Sequence, residues 1–197
     1  MGSAAMLART TEREPVLEAL AEAIAAYDRD TRKHCGRVAG YAVRVGELLS
    51  LDAESLATLR WAGTLHDLGK VAIPKAILEK VEQLEPGEWE LIKRHSIVGS
   101  QILLAISRDF GEIATAVRSH HERWDGGGYP DGLSGSAIPH LGRIVCVADV
   151  FDSITRPRPY RATALKTVDA FSYLRAGAGR HFDPDIIAAV LSVRPLV

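Results

Sequence analysis

The sequence predicts an all-α protein folded as one helical bundle around a buried polar site. Apolar residues recur at intervals of three and four along most of the 197-residue chain, which is the spacing of one helix face. The strongest strand-like run, Ile144 to Ala148, has no second run to pair with, so a helix is favoured there. A hydrophobic content of 47% in a chain of this length can bury a single full core.

Three helices are predicted in the first third of the chain. The first extends from Pro15 to Tyr27, with the proline at its first position, and the second from about Thr31 to Leu49. Asp52 is a plausible N-cap for the third, which continues to Leu65. Gly69 then follows, where we expect the left-handed backbone that often ends a helix.

The rest of the chain is also predicted to be helical, apart from one long loop. A helix continues from Trp89 to Ile106, and another covers Glu112 to Glu122. The glycine-rich and proline-rich segment from Gly126 to Pro139 is expected to be a loop, and loops of that length are often functional. The remaining helices are expected over Ile144–Ile154, Ala164–Leu174 and Pro184–Val193.

Composition excludes several classes of function. There are 24 Lys and Arg against 25 Asp and Glu, and this balance provides no general attraction for nucleic acid or an anionic membrane. No apolar run approaches the ~20 residues of a membrane span. Of the two cysteines, Cys146 is interpreted as a core residue and Cys35 as incidental. They form no disulfide framework, so a soluble protein of the reducing cytoplasm is expected.

Histidine and aspartate residues fall on the inner faces or at the ends of these helices. His120 and His121 are adjacent, and on a helix they would point about 100° apart, which suits two neighbouring metal ions, or one ion and one hydrogen-bond partner. A set of histidines and carboxylates without cysteine suits iron, manganese or zinc in a hydrolytic centre. Any one histidine alone could equally be a hydrogen-bonded core residue. The candidates are Asp30, His34, His66, Asp67, His95, His120, His121 and Asp149.

Several short motifs follow one another in a specific order. The motif from His66 to Lys70 is followed by Ile73-Pro74, then His95, then the string from His120 to Pro130. In this order the motifs closely resemble those of the HD-GYP family of cyclic di-GMP phosphodiesterases. A His-Asp pair alone is common to all HD-type phosphohydrolases, whereas the long string is specific. We therefore expect an N-terminal tail and first helix over 1–27 and an HD-GYP domain over 28–197, built as an α-helical bundle around a multinuclear metal centre.

The resemblance implies roles for the candidate residues. His34 and Asp30 match positions that hold a third ion in some members, although Asp30 is one methylene shorter than the expected glutamate. Two or three divalent ions are therefore expected, iron or manganese, with Asp67 in the bridging place. The ligands of the two-metal core would be His66, Asp67, His95, His120, His121 and Asp149.

The implied activity is hydrolysis of cyclic di-GMP to the linear dinucleotide pGpG, or onward to GMP. Lys70 matches a catalytic lysine that contacts the substrate or the attacking hydroxide, and Arg158 and Arg161 match phosphate-contacting positions. Two alternatives remain open: a non-catalytic domain that binds cyclic di-GMP or a protein, and a hydrolase of another nucleotide. The loop from Gly126 to Pro130 could contact a protein partner such as a diguanylate cyclase or a regulator, and a dimer is as open as a monomer.

Overall fold

A computed structural model describes residues 2–27, 29–80, 82–156 and 164–192, without the side chains of residues 2–12 and 29–30. The prediction of an all-α fold is confirmed, since these residues form helices and no strand beyond one isolated bridge. Short 3-10 helices cover Leu68–Ala72, Arg108–Phe110 and Gly135–Ala137. The α-helices are α1 Gly2–Tyr27, α2 Arg29–Leu48, α3 Ala53–Leu65, α4 Lys75–Leu78, α5 Pro86–Lys93, α6 His95–Ile106, α7 Gly111–Ser119, α8 His140–Thr155, α9 Thr167–Gly177 and α10 Pro184–Ser192.

Helices α2, α3, α7 and α8 pack against one another and form the centre of the bundle. Their inward faces carry fully buried side chains such as Val38, Leu59, Val117 and Ile144. Helices α2 and α3 approach closely at Gly63, where an added Cβ would lie 2.6 Å from Ala39 Cα. This close packing brings polar residues at the ends of α3 and α7 near the middle of α2 and α8.

The predicted start of the first helix is wrong, whereas the predicted cap of the third helix is confirmed. Helix α1 begins at Gly2, so Pro15 lies inside it and not at its first position. A helix tolerates an interior proline at the cost of one backbone hydrogen bond, and sequence spacing alone cannot exclude that. The cap of α3 is confirmed, because Asp52 Oδ1 accepts a hydrogen bond of 2.8 Å from Ser55 N.

The helix expected from Trp89 to Ile106 is instead two helices, α5 and α6, divided at Arg94. The His95 ring donates from Nδ1 to Ile92 O at 2.7 Å, and Ser96 Oγ donates to Lys93 O at 3.2 Å. These side chains therefore occupy carbonyls at the end of α5, which is how local side-chain bonds compete with a continuous helix.

Helix α7 ends at Ser119, three residues before its predicted end at Glu122. His120 Nδ1 donates to Val117 O at 2.6 Å, so a side chain takes a carbonyl of the last turn. The chain then turns, with Glu122 N bonded to Ser119 O at 3.0 Å. His120 and His121 therefore follow the helix, and their side-chain directions are not fixed by helical geometry.

The expectation that Gly69 adopts a left-handed backbone is wrong. Gly69 lies in the 3-10 helix and is absent from the positive-φ glycines among the described residues. Glycine is needed there for space, since a Cβ would lie 1.9 Å from His95 O and 2.6 Å from Gly99 N. The 3-10 helix thus lies directly on α6.

The described helices include none long and apolar enough to cross a membrane.

Candidate metal centre

The predicted ligands converge from five helices on one buried site. His66 is the C-cap of α3 and Asp67 follows it, while His95 is the first residue of α6. His120 is the C-cap of α7, and α2 and α8 supply His34 and Asp149. Side chains at helix ends have room to turn inward without a neighbouring helical turn in the way, which explains why so many of these ligands occupy ends.

His95, His120 and His121 form one ligand group, with a nitrogen from each within 4.8 Å of the others. The expectation that His120 and His121 diverge is wrong, because α7 ends before them. Their ring centroids are only 4.0 Å apart, and the His95 and His121 centroids are separated by 4.9 Å. Both adjacent histidines can therefore face one ion.

A second ligand group consists of His34, His66 and Asp149, again within 4.8 Å of one another. Asp149 Oδ1 lies 3.1 Å from His34 Nε2 and 3.9 Å from His66 Nε2. All three side chains are buried or nearly so. The group offers two imidazole nitrogens and a carboxylate, a mixture that suits iron, manganese or zinc.

Asp67 lies between the two groups. Its Oδ1 is 3.7 Å from His95 Nε2, and its Oδ2 is 3.4 Å from His66 Nε2 and 4.0 Å from His34 Nε2. A carboxylate with one oxygen toward each group is placed as a bridging ligand would be. This position fits the role that the family resemblance implied for Asp67.

Hydrogen bonds orient the histidine rings so that Nε2 faces the site. The Nδ1 atoms of His66, His95 and His120 donate to the carbonyls of Gly63, Ile92 and Val117 at 2.6–2.8 Å. A proton on Nδ1 leaves Nε2 of the neutral ring as a lone pair, which is the form that binds a metal.

Two of these lone pairs face each other. His95 Nε2 and His120 Nε2 are 3.3 Å apart, yet both rings hold their proton on Nδ1. Two acceptors at this distance repel each other unless a cation lies near both. The arrangement of the residues therefore fits a bound metal ion.

Burial keeps four of the five histidines of the site in the neutral form that binds a metal. It lowers the pKa of His66, His95 and His120, and it lowers that of His121 to about 3. Burial would raise the pKa of Asp67, but Lys70 and the surrounding histidines hold it well below its usual range. His34 is the exception, because its bonds to two carboxylates raise its pKa to about 9 although burial alone would lower it.

Lys70 approaches the site from the 3-10 helix. Its Nζ donates to Asp67 Oδ2 at 2.7 Å, and about a quarter of its side chain is exposed. Burial would lower the pKa of Lys70, but Asp67 raises it above its ordinary value. The lysine is therefore a charged donor beside the Asp67 carboxylate, a position that fits the role implied by the resemblance.

Three predicted site residues fall outside what the structure describes. Asp30 lies within α2, but its side chain is not among those described. Arg158 and Arg161 lie outside the described residues altogether. Their roles in a third metal site and in phosphate binding stay predictions.

Sequence reasoning missed Asp152, a fully buried carboxylate next to the site. It accepts from His34 Nδ1 at 2.7 Å and from Arg37 Nε at 2.5 Å. The available signal was its position one turn after Asp149 on the same helix, which presents both carboxylates to one side.

Sequence reasoning also missed Glu122, which holds the glycine-rich loop in place. Its buried carboxylate accepts from Asp131 N at 2.6 Å and from Leu133 N at 3.0 Å. Gly128 fits against the same segment, where a Cβ would lie 2.3 Å from Arg123 N. The loop is thereby fastened so that the Tyr129 ring lies 4.8 Å from the His121 ring, centroid to centroid.

Both cysteines are free and buried, which confirms the prediction of a core position for Cys146. Cys35 is also part of a third group, in which its sulfur and one atom each of His66 and Asp67 lie within 4.8 Å of one another. His140, for which the sequence indicates a loop or surface position, is exposed at the start of α8.

The fold and the site together define a helical domain built around a buried cluster of histidine and aspartate side chains. A protein-family model described as HD domain matches residues 15–186. The chain belongs to the HD-domain family.

Curated relatives place it more closely. The chain is 42% identical over 185 residues to the cyclic di-GMP phosphodiesterase response regulator RpfG of Xanthomonas campestris pv. campestris, covering 93% of this chain and 48% of the relative. It is 39% identical over 184 residues to the 3'3'-cGAMP-specific phosphodiesterase 2 of Vibrio cholerae, covering 93% of this chain and 35% of the relative. These relatives confirm the resemblance to HD-GYP phosphodiesterases, and the chain spans about half their length or less.

Solved structures support the fold. The cyclic GMP-AMP-specific phosphodiesterase V-cGAP3 of V. cholerae aligns with a TM-score of 0.61 at 20% identity, over 82% of this chain and 43% of that one. The HDGYP protein Bd1817 of Bdellovibrio bacteriovorus aligns with a TM-score of 0.63 at 19% identity, over 81% of this chain and 50% of that one.

Proposed function

We propose that this chain is a metal-dependent phosphodiesterase that hydrolyses cyclic di-GMP to linear pGpG. The observation that carries the proposal is the convergence of five histidines and two aspartates on one buried site within an HD-GYP domain. Relatives named as cyclic di-GMP phosphodiesterases support the choice of substrate.

Two metal ions would be held by the two ligand groups, with Asp67 shared between them. His95, His120 and His121 would bind one ion, and His34, His66 and Asp149 the other. When bound, divalent ions such as iron or manganese supply positive charge to the phosphoryl oxygens and make water a stronger nucleophile. A third ion at Asp30 is part of the same proposal, as is further cleavage to GMP.

The chain's own residues would orient and stabilise the phosphodiester. Lys70 keeps its proton and can donate from Nζ to a phosphoryl oxygen as negative charge develops there. The Tyr129 ring lies 4.8 Å from that of His121, centroid to centroid, and would cover one side of the bound phosphodiester. Arg158 and Arg161 would pair with the second phosphate of the cyclic dinucleotide.

A second candidate substrate is 3'3'-cGAMP, which is favoured by the names of three relatives from V. cholerae. Both molecules carry two phosphodiester groups, so the metal ligands and Lys70 would act on them equally. Contacts to the bases would have to distinguish them.

Turnover by the manganese-loaded or iron-loaded protein tests the proposal. We expect cyclic di-GMP to yield pGpG, as separated by chromatography, and 3'3'-cGAMP to be cleaved more slowly. Asp67→Ala and His66→Ala should abolish cleavage, whereas His140→Ala, which changes an exposed histidine, should keep it. No product from either dinucleotide at any metal loading would refute the enzyme proposal.

A non-catalytic binding domain is the main rival. The six residues that the resemblance assigns to the two-metal core all have side chains in the one buried cluster, which supports turnover over binding alone. Calorimetry showing tight binding of cyclic di-GMP by the metal-loaded protein, with no turnover, would support the rival.

We also propose that the protein acts in the cytoplasm. Both cysteines are free, which fits the reducing cytoplasm where a second messenger would be degraded. A protein partner at the Gly126 to Pro130 loop, such as a diguanylate cyclase, stays a prediction.

A further inference from the structure

We propose that Asp152, clamped by Arg37, is a positioning residue that orients His34 and strengthens metal binding by the group His34, His66 and Asp149. The inference rests on the proposed function, since it concerns how that same site holds its ions. It assigns a role to two residues that contribute no ligand atom to either group.

Both oxygens of Asp152 are used by α2. Oδ2 accepts from His34 Nδ1 at 2.7 Å and from Arg37 Nη2 at 2.9 Å, while Oδ1 accepts from Arg37 Nε at 2.5 Å. His34 and Arg37 are one helical turn apart, so one helix presents both donors to a single carboxylate on α8.

Burial makes this carboxylate a strong acceptor. Asp152 has no exposed surface, and a buried charge is costly unless it is paired. Burial would raise the pKa of Asp152, but the bonds from His34 and Arg37 lower it. The bidentate contact from Arg37 thus keeps the carboxylate charged and fixes its orientation toward His34.

The consequence for His34 is a defined ring orientation. With its Nδ1 proton directed at Asp152, His34 turns Nε2 toward the site, 3.1 Å from Asp149 Oδ1. A carboxylate partner also makes an imidazole a more basic ligand than a neutral acceptor does.

This arrangement distinguishes the two ligand groups. His95 and His120 direct Nδ1 at backbone carbonyls, which are neutral, whereas His34 directs it at a charged carboxylate. Loss of the charge on Asp152 should therefore lower the metal affinity of the group that contains His34. The affinity of the group formed by His95, His120 and His121 should stay nearly unchanged.

Asp152 and Arg37 also join α8 to α2, so breaking this ion pair could weaken metal binding simply by loosening the packing of the two helices. A control must separate that effect from the orientation of His34. The chain contains a matched pair in Arg143 and Asp183, a buried aspartate bonded to an arginine of α8. That pair joins α8 to the residue preceding α10, and the other oxygen of Asp183 accepts from Asp185 N, so the bonds of this carboxylate are to Arg143 and the start of α10. Asp183→Asn is therefore the control for breaking a buried ion pair.

The experiment is a manganese titration of the metal-free full chain by calorimetry, with bound metal counted by elemental analysis. We expect Asp152→Asn to weaken one class of manganese site roughly 10-fold or more, the range found for such partners of metal-binding histidines. Arg37→Gln should weaken the same class less, and Asp183→Asn should leave both classes as in the parent.

Nitrogen NMR of the imidazoles provides a readout that a purely structural role would not change. The Nδ1 signal of His34 should shift in Asp152→Asn, while those of His95 and His120 stay in place. If Asp152→Asn does not fold, Arg37→Gln decides the question by the same two measurements.

Affinities within about twofold of the parent in both variants would overturn the inference, as would an equal loss in Asp183→Asn. Hydrolysis is not a readout here. If the parent protein cleaves no cyclic dinucleotide while Asp152→Asn still loses one class of manganese site, this inference stands and the proposed function is refuted.

Discussion

At the scale of single residues, the site depends on which nitrogen of each histidine carries the proton. Carbonyls at the ends of α5 and α7 bind Nδ1 of His95 and His120, and the Nε2 atoms are left 3.3 Å apart. The side-chain bonds that end these helices are therefore the same bonds that prepare the ligands. Helix termination and metal binding have one physical cause here.

Lys70 should contribute to the rate and not to metal content. We expect Lys70→Met to lower kcat by about 10²–10³-fold, the loss seen when one donor to a developing negative charge is removed. Kinetics combined with metal analysis would check this, with Lys33→Met on the exposed face of α2 as the control. Loss of the metal ions in Lys70→Met would show that the lysine supports Asp67 instead.

Metal binding should be pH-dependent through His34. Burial alone would lower its pKa, but the bonds to Asp149 and Asp152 raise it to about 9 in the metal-free protein. His34 is therefore protonated at neutral pH, and its proton must leave when Nε2 binds an ion.

We expect manganese affinity to rise as the pH increases toward about 9 and then to level off. Calorimetry in buffers of different ionisation enthalpy should detect about one proton released near neutral pH and much less above pH 9. Equal proton release across this range would contradict the prediction.

At the scale of secondary-structure elements, the 3-10 helix carries Lys70 and rests directly on α6. The contact at Gly69 leaves no room for a side chain, because His95 O and Gly99 N are too close. The positions of Lys70 and His95 are therefore coupled through the backbone.

Gly69→Ala should destabilise the protein by roughly 1–3 kcal/mol or more, since the methyl group would push the 3-10 helix off α6. The free energy of unfolding of the metal-free protein, measured in urea, would check this. Gly36→Ala in α2 is the matched control, because nothing lies within 4 Å of its added Cβ. The control should be stabilising by about 0.5–1 kcal/mol, as expected for alanine in a helix.

At the scale of the whole molecule, α2, α3, α6, α7 and α8 all contribute to one centre. No two neighbouring helices hold the complete site, so its geometry depends on the bundle as a whole. Metal binding should in turn stabilise the bundle, because the ligands are together only in the folded chain.

Removal of metal by a chelator should lower the Tm by roughly 5–10 °C. A free metal concentration of 100 times Kd stabilises the folded state by about 2.7 kcal/mol. For a domain of this size, each kcal/mol of stability raises the Tm by roughly 2–4 °C. Thermal unfolding with and without chelator would measure the shift. The decrease in Tm on adding chelator should be unchanged in His140→Ala and mostly absent in His120→Ala. An equal decrease in both variants would contradict a metal centre at His120.

Much of the helical fold follows from the sequence, because apolar spacing and caps are local properties. The α2 and α3 bounds, the Asp52 cap and the choice of helix at Ile144 are confirmed by the structure. The motif string led to the HD-GYP family, and with it to residues that the structure brings together.

Helix ends and pairings across the bundle were decided by tertiary structure. The break at Arg94, the early end of α7 and the space needed at Gly69 depend on side-chain bonds and contacts that spacing does not encode. The sequence by itself determined the helical class and the residues capable of metal chemistry. Only the folded chain decided that His120 and His121 face one centre, because a side-chain bond ends α7 before them. It also decided that Asp152 lies behind His34, because that contact joins residues far apart along the chain.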